Sequence, residues 1–382
     1  MRILQVNKFF PPHLGGIETH VALLCRELAR TGQLDLSVLV CHHRPAWQRE
    51  IFAGVPVERV PSYGTFLSMP LAPHLFGAFR ELAAHADLVH LHHPFPLAEL
   101  AALLLPVPGR MVVTWHNDIV RQRLALRLYQ PFLQRFLKRV DRIILTSPHY
   151  LQASAHLRPY REKCQSIPLG IDLEPFRWTP ETAERASRLR SQYGSRLILG
   201  VGRLVAYKGF RYLVEAMTRV NGHLVIIGQG PLRRELSALA RTLGLERRVT
   251  FLDPVPLETL AAFYHACTVF VLPSINATEG FGLVQVEAMA CGKPVVSTNL
   301  PTGVTYVNRD GETGLVVPSG DATALALAIT RLLDDHILRE RLGAQARARV
   351  WQEFTVERMA AQTYALYQDL LASAPVPAPA AG

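Results

Sequence analysis

Two glutamates eight positions apart stand in the most distinctive motif of the chain. Glycines open what reads as a helix, so the backbone N–H groups of Gly280, Phe281 and Gly282 would face a ligand beside the Glu279 carboxylate. Eight residues is slightly over two helical turns, which would place Glu287 farther along the same face. Carboxylates accept hydrogen bonds from neighbouring hydroxyls, so the motif favours a sugar and a ribose as ligands. The alternative is a helix-start carboxylate followed by a buried, paired glutamate. The full motif is Glu279-Gly280-Phe281-Gly282-Leu283-Val284-Gln285-Val286-Glu287.

A second motif combines glycine with two cations. Arg203 comes directly after Gly200-Val201-Gly202, at the end of a predicted strand, and Lys208 follows five residues later. A planar guanidinium and a point-like ammonium at the end of a strand form a plausible clamp for a diphosphate. The spacing fits neither a P-loop nor the dinucleotide fingerprint. A solvated pair of cations is the other interpretation.

Two further loops follow predicted strands in the first half of the chain. Gly15 and Gly16 let backbone approach a phosphate or a sugar hydroxyl, although a tight turn explains them equally well. The second loop carries four side chains that could contact a substrate, and its histidine could bind a sugar hydroxyl or move a proton. A helix cap beside a structural histidine is the alternative. This loop reads Trp115-His116-Asn117-Asp118.

Three more histidines, His90, His92 and His93, stand at the end of a strand. They have no carboxylate partner in the sequence, so they form a poor ligand set, and no metal site is expected. The five cysteines include no C-x-x-C pair, which disfavours structural zinc and a disulfide framework and favours a reducing cytoplasm.

Short apolar runs alternate with segments of helical period, which predicts parallel sheets covered on both faces. The pattern restarts after a break, and a chain of 382 residues usually exceeds one core. We therefore expect an α/β fold of two Rossmann-like domains, with 173–194 as a linker region. The predicted bounds are 1–172 for the first domain and 195–355 for the second, then a helix at 356–371 and a disordered tail at 372–382.

The chain carries a formal net charge of +10, which suggests anionic partners or simply a basic solvated surface. Basic repeats interleaved with aromatic residues are absent, so nucleic acid is not an expected partner. Neither a signal peptide nor an apolar run of spanning length is expected. Basic residues are interleaved with Leu, Phe and Tyr over 120–142, a pattern that suits either the surface of an anionic membrane or a solvated helix face.

Taken together, these motifs and the segment Pro168-Leu169-Gly170-Ile171-Asp172 resemble the retaining GT-B glycosyltransferases of family GT4. The resemblance covers nearly the whole chain, and its Glu-x7-Glu element is the specific part. It implies two Rossmann-like domains whose parallel sheets face each other across a cleft, with the helix at 356–371 returning to the first domain. The segment from Trp115 to Gln122 is similar to one in polysaccharide and O-antigen transferases, many of which use mannose-type donors.

The resemblance also implies roles for the residues above. Arg203 and Lys208 would neutralise the donor diphosphate, Glu279 would hold the donor sugar and Glu287 the ribose. The remaining donor-side residues would be Gly15, Gly16, Gly280, Phe281, Gly282 and Leu283. His116 would lie near the reacting sugar, with Trp115, Asn117 and Asp118 on the acceptor side. Transfer would retain the anomeric configuration and need neither a metal, nor a cofactor, nor an enzyme nucleophile.

The expected reaction moves a hexose from a nucleotide-diphosphate sugar, of GDP-mannose or UDP type, to a glycan or lipid-linked acceptor. Cell-surface polysaccharide or lipopolysaccharide synthesis in the cytoplasm is the expected setting, with peripheral contact to the inner face of the membrane left open. Two alternatives share the donor: a GT-B-fold nucleotide-sugar epimerase, and a non-catalytic nucleotide-sugar-binding module. The Glu-x7-Glu element together with the two cations favours transfer.

Overall fold

The structure, a computed structural model, describes residues 1–13, 15–66, 69–118 and 123–373, without the side chains of 123–128. These residues form two compact units. Unit 1 comprises 1–146, 154–168 and the C-terminal segment from Val356, and unit 2 comprises 147–153 and 169–355. No helix in the described ranges is both long enough and apolar enough to cross a membrane.

The strands of unit 1 are Arg2–Val6 (β1), Asp35–Cys41 (β2), Gln48–Phe52 (β3), Val55–Val60 (β4), Thr65–Phe66 (β5), Met69–Pro70 (β6), Leu88–His93 (β7), Arg110–Trp115 (β8), Arg142–Leu145 (β9) and Cys164–Ser166 (β10). Those of unit 2 are Leu197–Val201 (β11), His223–Ile227 (β12), Val249–Leu252 (β13), Val269–Leu272 (β14), Val295–Thr298 (β15) and Gly314–Val317 (β16).

The helices are Gly16–Arg30 (α1), Leu75–Ala83 (α2), Pro96–Leu104 (α3), Arg123–Arg139 (α4), His149–Ala153 (α5), Pro180–Tyr193 (α6), Phe210–Ala216 (α7), Arg233–Thr242 (α8), Leu257–Ala266 (α9), Leu283–Ala290 (α10), Gly303–Val307 (α11), Ala322–Asp334 (α12), His336–Glu353 (α13) and Val356–Ala372 (α14). Short 3-10 turns lie at Arg158–Lys163, Glu174–Phe176 and Ala206–Lys208.

The main sheet of unit 1 has the order β10-β9-β8-β7-β1-β2-β4-β3. Every pair in it is parallel except β3 with β4, which form an edge hairpin. The hairpin turns at Ala53 and Gly54, both with positive φ, as a two-residue turn between antiparallel strands requires. Strand order reverses between β1 and β7. The connections that leave the carboxyl ends of these two strands therefore run in opposite directions, and a crevice that suits a ligand opens between them.

The sheet of unit 2 has the order β13-β12-β11-β14-β15-β16, and all of its strands are parallel. This is the 3-2-1-4-5-6 order of a doubly wound dinucleotide-binding sheet, with its switch point between β11 and β14. Its strands are continuous apolar runs because helices cover both faces, and a separate buried cluster packs on each face.

One segment differs from the sequence expectation. The segment 173–194, for which a linker was predicted, contains α6, and α6 packs on α9 within unit 2. Thr179 caps this helix by accepting a hydrogen bond from the Thr182 N–H, and Pro180 occupies its first turn. The last helix, α14, packs on α1 in unit 1. Most of the predicted disordered tail, 374–382, lies outside the described residues.

Candidate functional site

A buried ion pair marks the switch point of unit 2. The Lys208 Nζ lies 2.7 Å from the Glu279 Oε2, and the Ser274 hydroxyl donates to the same oxygen at 2.7 Å. Lys208 follows β11, whereas Ser274 and Glu279 follow β14, so the two strands that flank the switch point supply all three groups. The Glu279 Oε1 has no described partner and remains available to a ligand.

The charge of Lys208 is set by its neighbours. Burial lowers the pKa of Lys208, but the charge and the hydrogen bond of Glu279 outweigh it, so the net pKa is raised and the ammonium stays charged. Gly202 has φ +150° and leaves room for the lysine side chain, whose Cε would lie 3.3 Å from an added Cβ. Glu279 therefore already neutralises one of the two cations of the predicted diphosphate clamp.

Arg203 is the uncompensated cation of this region. Its side chain is exposed, no described residue accepts a hydrogen bond from its guanidinium, and its charge is close enough to oppose that of Lys208. An exposed guanidinium beside a compensated ammonium can bind an anion without first breaking an ion pair.

The start of α10 supplies hydrogen-bond donors beside Glu279. No described residue accepts from the backbone N–H groups of Gly280, Phe281 or Gly282. The carbonyl of Gly280 accepts from the Gly303 N–H at 2.7 Å, which fixes the loop. Gly282 has φ +72°, and a Cβ there would lie 2.6 Å from Leu272 Cδ2, so this position requires glycine. Free N–H groups at a helix start suit a phosphate or a sugar hydroxyl.

The helix begins at Leu283, four residues after Glu279, so the expectation that both glutamates share one helical face is wrong. The reason is the left-handed conformation of Gly282, which turns the chain before the helix starts. Only Glu287 lies on α10, where Tyr264 of α9 donates a hydrogen bond to its Oε2 at 2.6 Å. Burial raises the pKa of the Glu287 carboxyl, and the Tyr264 hydrogen bond and the charge of Lys208 oppose this rise without cancelling it.

In unit 1 the glycine pair begins α1 next to β1. Gly15 is the N-cap and Gly16 the first helical residue. A Cβ on Gly15 would lie 2.1 Å from the Glu18 Oε2, so the absence of a side chain lets this carboxylate fold back over the helix start.

A chain of hydrogen bonds fixes the ring of His116. The Gln5 amide donates to the Tyr367 hydroxyl at 2.9 Å, so its oxygen accepts from the His92 Nε2–H at 3.0 Å. The His92 Nδ1 then accepts from the His116 Nε2–H at 3.1 Å. These tautomers follow from the orientation of the Gln5 amide. They leave the His116 Nδ1 as an acceptor to which no described residue donates.

All the imidazoles of this cluster are buried, and burial lowers their pKa values. The pKa falls to about 3 for His20 and His90, and well below the usual range for His92 and His116. His116 is therefore neutral at pH 7, and its Nδ1 can accept a hydrogen bond.

The remaining residues of the predicted acceptor loop are less available. Trp115 is fully buried, stacks on His93 at 3.7 Å and donates through its indole N–H to the Asp118 Oδ1 at 2.9 Å. The Ser154 hydroxyl donates to the same oxygen. The Trp115 side chain thus shapes the loop, whereas Asn117 and Asp118 are half-buried and can reach a ligand.

The three histidines of β7 do not act together, because side chains alternate across a strand. His90 and His92 stack on each other, whereas His93 lies on the other face and pairs with Glu99 at 2.8 Å, a carboxylate partner that the sequence analysis did not identify. The group of metal-ligating type is instead His20, His92 and His116, whose nitrogens lie within 4.8 Å of one another. It contains no carboxylate.

Four residues at these sites are absent from the sequence-based set. Gln5 and Tyr367 orient the histidine chain, and Tyr264 and Ser274 orient the two glutamates. A polar residue inside a buried strand, such as Gln5 in β1, is a signal that sequence alone offers, since it needs a partner. No pattern in the sequence indicates the two tyrosines.

The basic segment 120–142 is only partly described, and Arg121, Arg123 and Arg127 lie outside the described side chains. Arg135 and Lys138 of α4 are exposed, as is the neighbouring Phe132. Arg139 donates instead to the carbonyl oxygens of Ala102, Leu103 and Leu105, at the end of α3.

Comparison with known proteins gives a consistent result. Residues 14–175 match the model of Glycosyltransferase Family 4, and 182–349 match that of Glycosyl transferases group 1. The chain is 38% identical to a D-rhamnosyltransferase of Pseudomonas aeruginosa over 93% of this chain and 92% of that protein. It is 30% identical to O-antigen chain mannosyltransferase C of Escherichia coli, over 98% of this chain and all of that protein. Among solved structures, sucrose-phosphate synthase from Thermosynechococcus elongatus superposes with a TM-score of 0.82 at 27% identity, over 97% and 99% of the two chains.

Proposed function

Because this chain belongs to the family 4 glycosyltransferases, with a group 1 domain and the GT-B fold, we propose that it transfers a manno-configured hexose from a nucleotide-diphosphate sugar to a glycan or lipid-linked acceptor. The observation that carries the proposal is the arrangement around Glu279 in unit 2. There one carboxylate pairs with a buried ammonium and lies beside free backbone N–H groups, and an exposed, unpaired guanidinium follows the same strand as the ammonium. A diphosphate needs the positive groups and a sugar needs the carboxylate.

In this proposal Arg203 and Lys208 stabilise the charge that develops on the leaving diphosphate. The Glu279 Oε1 accepts hydrogen bonds from donor-sugar hydroxyls, and the N–H groups of Gly280, Phe281 and Gly282 donate to sugar or phosphate. Leu283 lies beside them at the first turn of α10, and Glu287 binds the ribose.

Unit 1 contributes the glycine pair, the polar residues of the loop after β8 and a neutral imidazole. Gly15 and Gly16 allow a close approach of the donor phosphates, and Asn117 and Asp118 face the acceptor. The free Nδ1 of His116 accepts a hydrogen bond from a sugar hydroxyl. The nucleophile is the acceptor hydroxyl, and its proton leaves with the phosphate. Transfer retains the anomeric configuration and proceeds without a metal.

The choice of sugar rests on the relatives. A D-rhamnosyltransferase and a mannosyltransferase act on sugars that share the axial 2-hydroxyl, since D-rhamnose is 6-deoxy-D-mannose. A GDP-linked manno sugar is therefore the first donor to test, with UDP sugars next. An O-antigen-type polysaccharide is the first acceptor class. An epimerase or a non-catalytic binding module is not favoured, because the relatives are named as transferases.

The test is a thermal-shift screen against GDP, UDP and ADP sugars, followed by product analysis with the best donor. We expect transfer of a manno-configured sugar, an unchanged anomeric configuration by NMR and full activity in EDTA. Conversion of the donor alone into an epimer would overturn the assignment as a transferase. An inverted product or a loss of activity in EDTA would overturn the corresponding part of the mechanism.

A further inference from the structure

Unit 2 has a second polar region on the side of its sheet away from Glu279. A pocket of about 300 Å³ is lined by Trp178, Arg190, His265, Cys291, Lys293 and Arg347. The helices α9 and α10 end here and lead into the amino ends of β14 and β15. Because the strands are parallel, the pocket lies at the edge opposite the one from which Arg203 and Glu279 project.

Three cations line this pocket, and none is paired with a described carboxylate. Arg190 donates to the carbonyl oxygens of His265 and Ala266, which hold its guanidinium at the end of α9. Arg347 lies over the Trp351 ring at 5.7 Å. The Lys293 ammonium has no described hydrogen-bond partner.

Lys293 and His265 each lie in the positive field of neighbouring cations. Burial lowers the pKa of Lys293; Cys267 and Cys291 oppose this effect, and the charges of Arg190 and Arg339 add to it. Burial also lowers the pKa of His265 to about 4, and Lys293, Arg347 and Arg190 act in the same direction. Like charges around a shared cavity repel one another, and an anion in the cavity would relieve this repulsion.

The walls of the pocket also restrict the ligand. Trp178 is 53% exposed and meets the His265 ring edge-on at 4.9 Å, so it offers a flat apolar surface beside the cations. The volume is at the low end for ligand sites, which suits a compact anion. Guanidinium groups and an ammonium in one pocket match phosphoryl oxygens in charge and geometry.

We propose that this pocket binds a phosphoryl anion, at a site separate from that of the donor diphosphate. The ligand is a free phosphate, pyrophosphate or small phosphate ester, or the phosphate of a lipid headgroup, because these share the same chemistry. The proposal does not depend on the transfer reaction, since no residue of the pocket belongs to the arrangement around Glu279.

The experiment measures pyrophosphate binding by calorimetry at low ionic strength. Arg203→Gln weakens the donor site and serves as the background, so that the pocket can be observed by itself. Introducing Lys293→Gln and Arg347→Gln together into the Arg203→Gln chain should weaken pyrophosphate binding by about tenfold or more, because two charge-assisted contacts are lost. The matched control is Arg185→Gln, which removes one exposed arginine of α6 outside the pocket and should change affinity by less than about twofold.

Two results would overturn the proposal: no pyrophosphate binding in the Arg203→Gln chain, or unchanged binding after the two pocket substitutions. Thermal unfolding without anion separates binding from folding, since removing mutually repelling cations should leave the unfolding midpoint the same or higher.

Co-sedimentation with phosphatidylglycerol vesicles distinguishes the ligand sources. Vesicle binding that the pocket substitutions abolish assigns the phosphoryl group to a lipid, and vesicle binding that they leave unchanged assigns it to a free anion. Neither readout uses sugar transfer, so failure here leaves the proposed function intact.

Discussion

Both units place polar groups near the switch point of a sheet, but the groups are charged in unit 2 and the central cluster is neutral in unit 1. Unit 2 uses charges: Lys208 and Glu279 compensate each other, and Arg203 stays exposed. Unit 1 uses neutral groups: burial keeps the imidazole of His116 uncharged, and a directed chain of hydrogen bonds fixes its tautomer. A charged cluster can bind a diphosphate, whereas a neutral one can orient a hydroxyl without attracting an anion.

The two clusters should also respond differently when one of their residues is substituted. Removing one member of an ion pair leaves the other charge buried, so unit 2 should lose stability together with function. Removing one member of a neutral chain leaves an unpaired dipole, so unit 1 should lose orientation at a smaller cost in stability.

The largest effect is expected for Glu279→Ala. Loss of the carboxylate removes the proposed contact to the donor sugar and leaves Lys208 unpaired. The transfer rate should fall about 10²–10³-fold, and the free energy of unfolding should fall by about 3–5 kcal/mol. Steady-state kinetics and urea denaturation measure the two quantities.

A double variant separates these two effects. Lys208→Met with Glu279→Met removes both charges and should recover most of the stability while activity stays lost. The exposed Glu258 provides the control, since Glu258→Ala should change neither quantity. Full activity in Glu279→Ala would refute the proposed donor site.

The next effect is expected for His116→Ala. If the free Nδ1 accepts a hydrogen bond from a sugar hydroxyl, kcat should fall about 10²-fold, as for the loss of one preorganised hydrogen-bonding group. Stability should change little compared with Glu279→Ala, because no charge is left unpaired. In the unsubstituted chain His116 is neutral, so it should contribute no rise in kcat/KM between pH 5 and 8, and a pH-rate profile checks this. If kcat/KM of the unsubstituted chain does change between pH 5 and 8, and His116→Ala abolishes that change, the histidine titrates in this range.

Much of the proposed donor site could be located from sequence. Arg203, Lys208 and Glu279 follow apolar runs that read as strands, and parallel strands end at one edge. The start of α10 could not be predicted, because it depends on the conformation of Gly282, and Gly282 packs against Leu272 of β14. The motif therefore identifies the residues of the site but not the geometry between the two glutamates.

The histidine cluster of unit 1 was harder to predict because its contacts are distant in sequence. Gln5 and Tyr367 are 362 residues apart, and no local pattern connects them. His20 lies on α1 among apolar residues, where one polar residue does not disturb the helical period. The hairpin of β3 and β4 was not predicted either, since its Ala53-Gly54 turn lacks the asparagine or aspartate of the usual signal.

A smaller effect is expected for Gln5→Leu. Without the Gln5 oxygen, the His92 tautomer is no longer fixed, and His116 loses its preferred orientation. We expect kcat to fall about fivefold to tenfold while KM for the donor stays constant. Gln5→Glu should restore part of the rate, because a carboxylate also accepts from the His92 Nε2–H. The control is Gln368→Leu, an exposed glutamine of α14, which should change nothing. A rise in KM with unchanged kcat would assign Gln5 to binding rather than to positioning.

The smallest expected effect is on stability, and it tests whether the Glu287 carboxylate serves ligand binding at a cost in stability. Burial raises the pKa of Glu287 above 4.5, so the folded state binds this proton more tightly than the unfolded state. Its contribution to stability is therefore complete below pH 4.5 and is lost as the pH rises through the folded value. Above the folded pKa the carboxylate is ionised in both states, and its burial then lowers the free energy of unfolding.

Glu287→Gln should remove this cost, because the amide oxygen still accepts from Tyr264 and carries no charge. Urea denaturation should show the variant equal in stability to the unsubstituted chain at pH 4 and increasingly more stable than it as the pH rises to 7.5. The thermal shift produced by the donor should shrink in the same variant, because an amide binds ribose hydroxyls less strongly than a carboxylate. A variant that is less stable at pH 7.5 would mean that Lys208 and Tyr264 together stabilise the carboxylate by more than its burial costs, and Glu287 would then be a structural partner rather than a ligand-binding group.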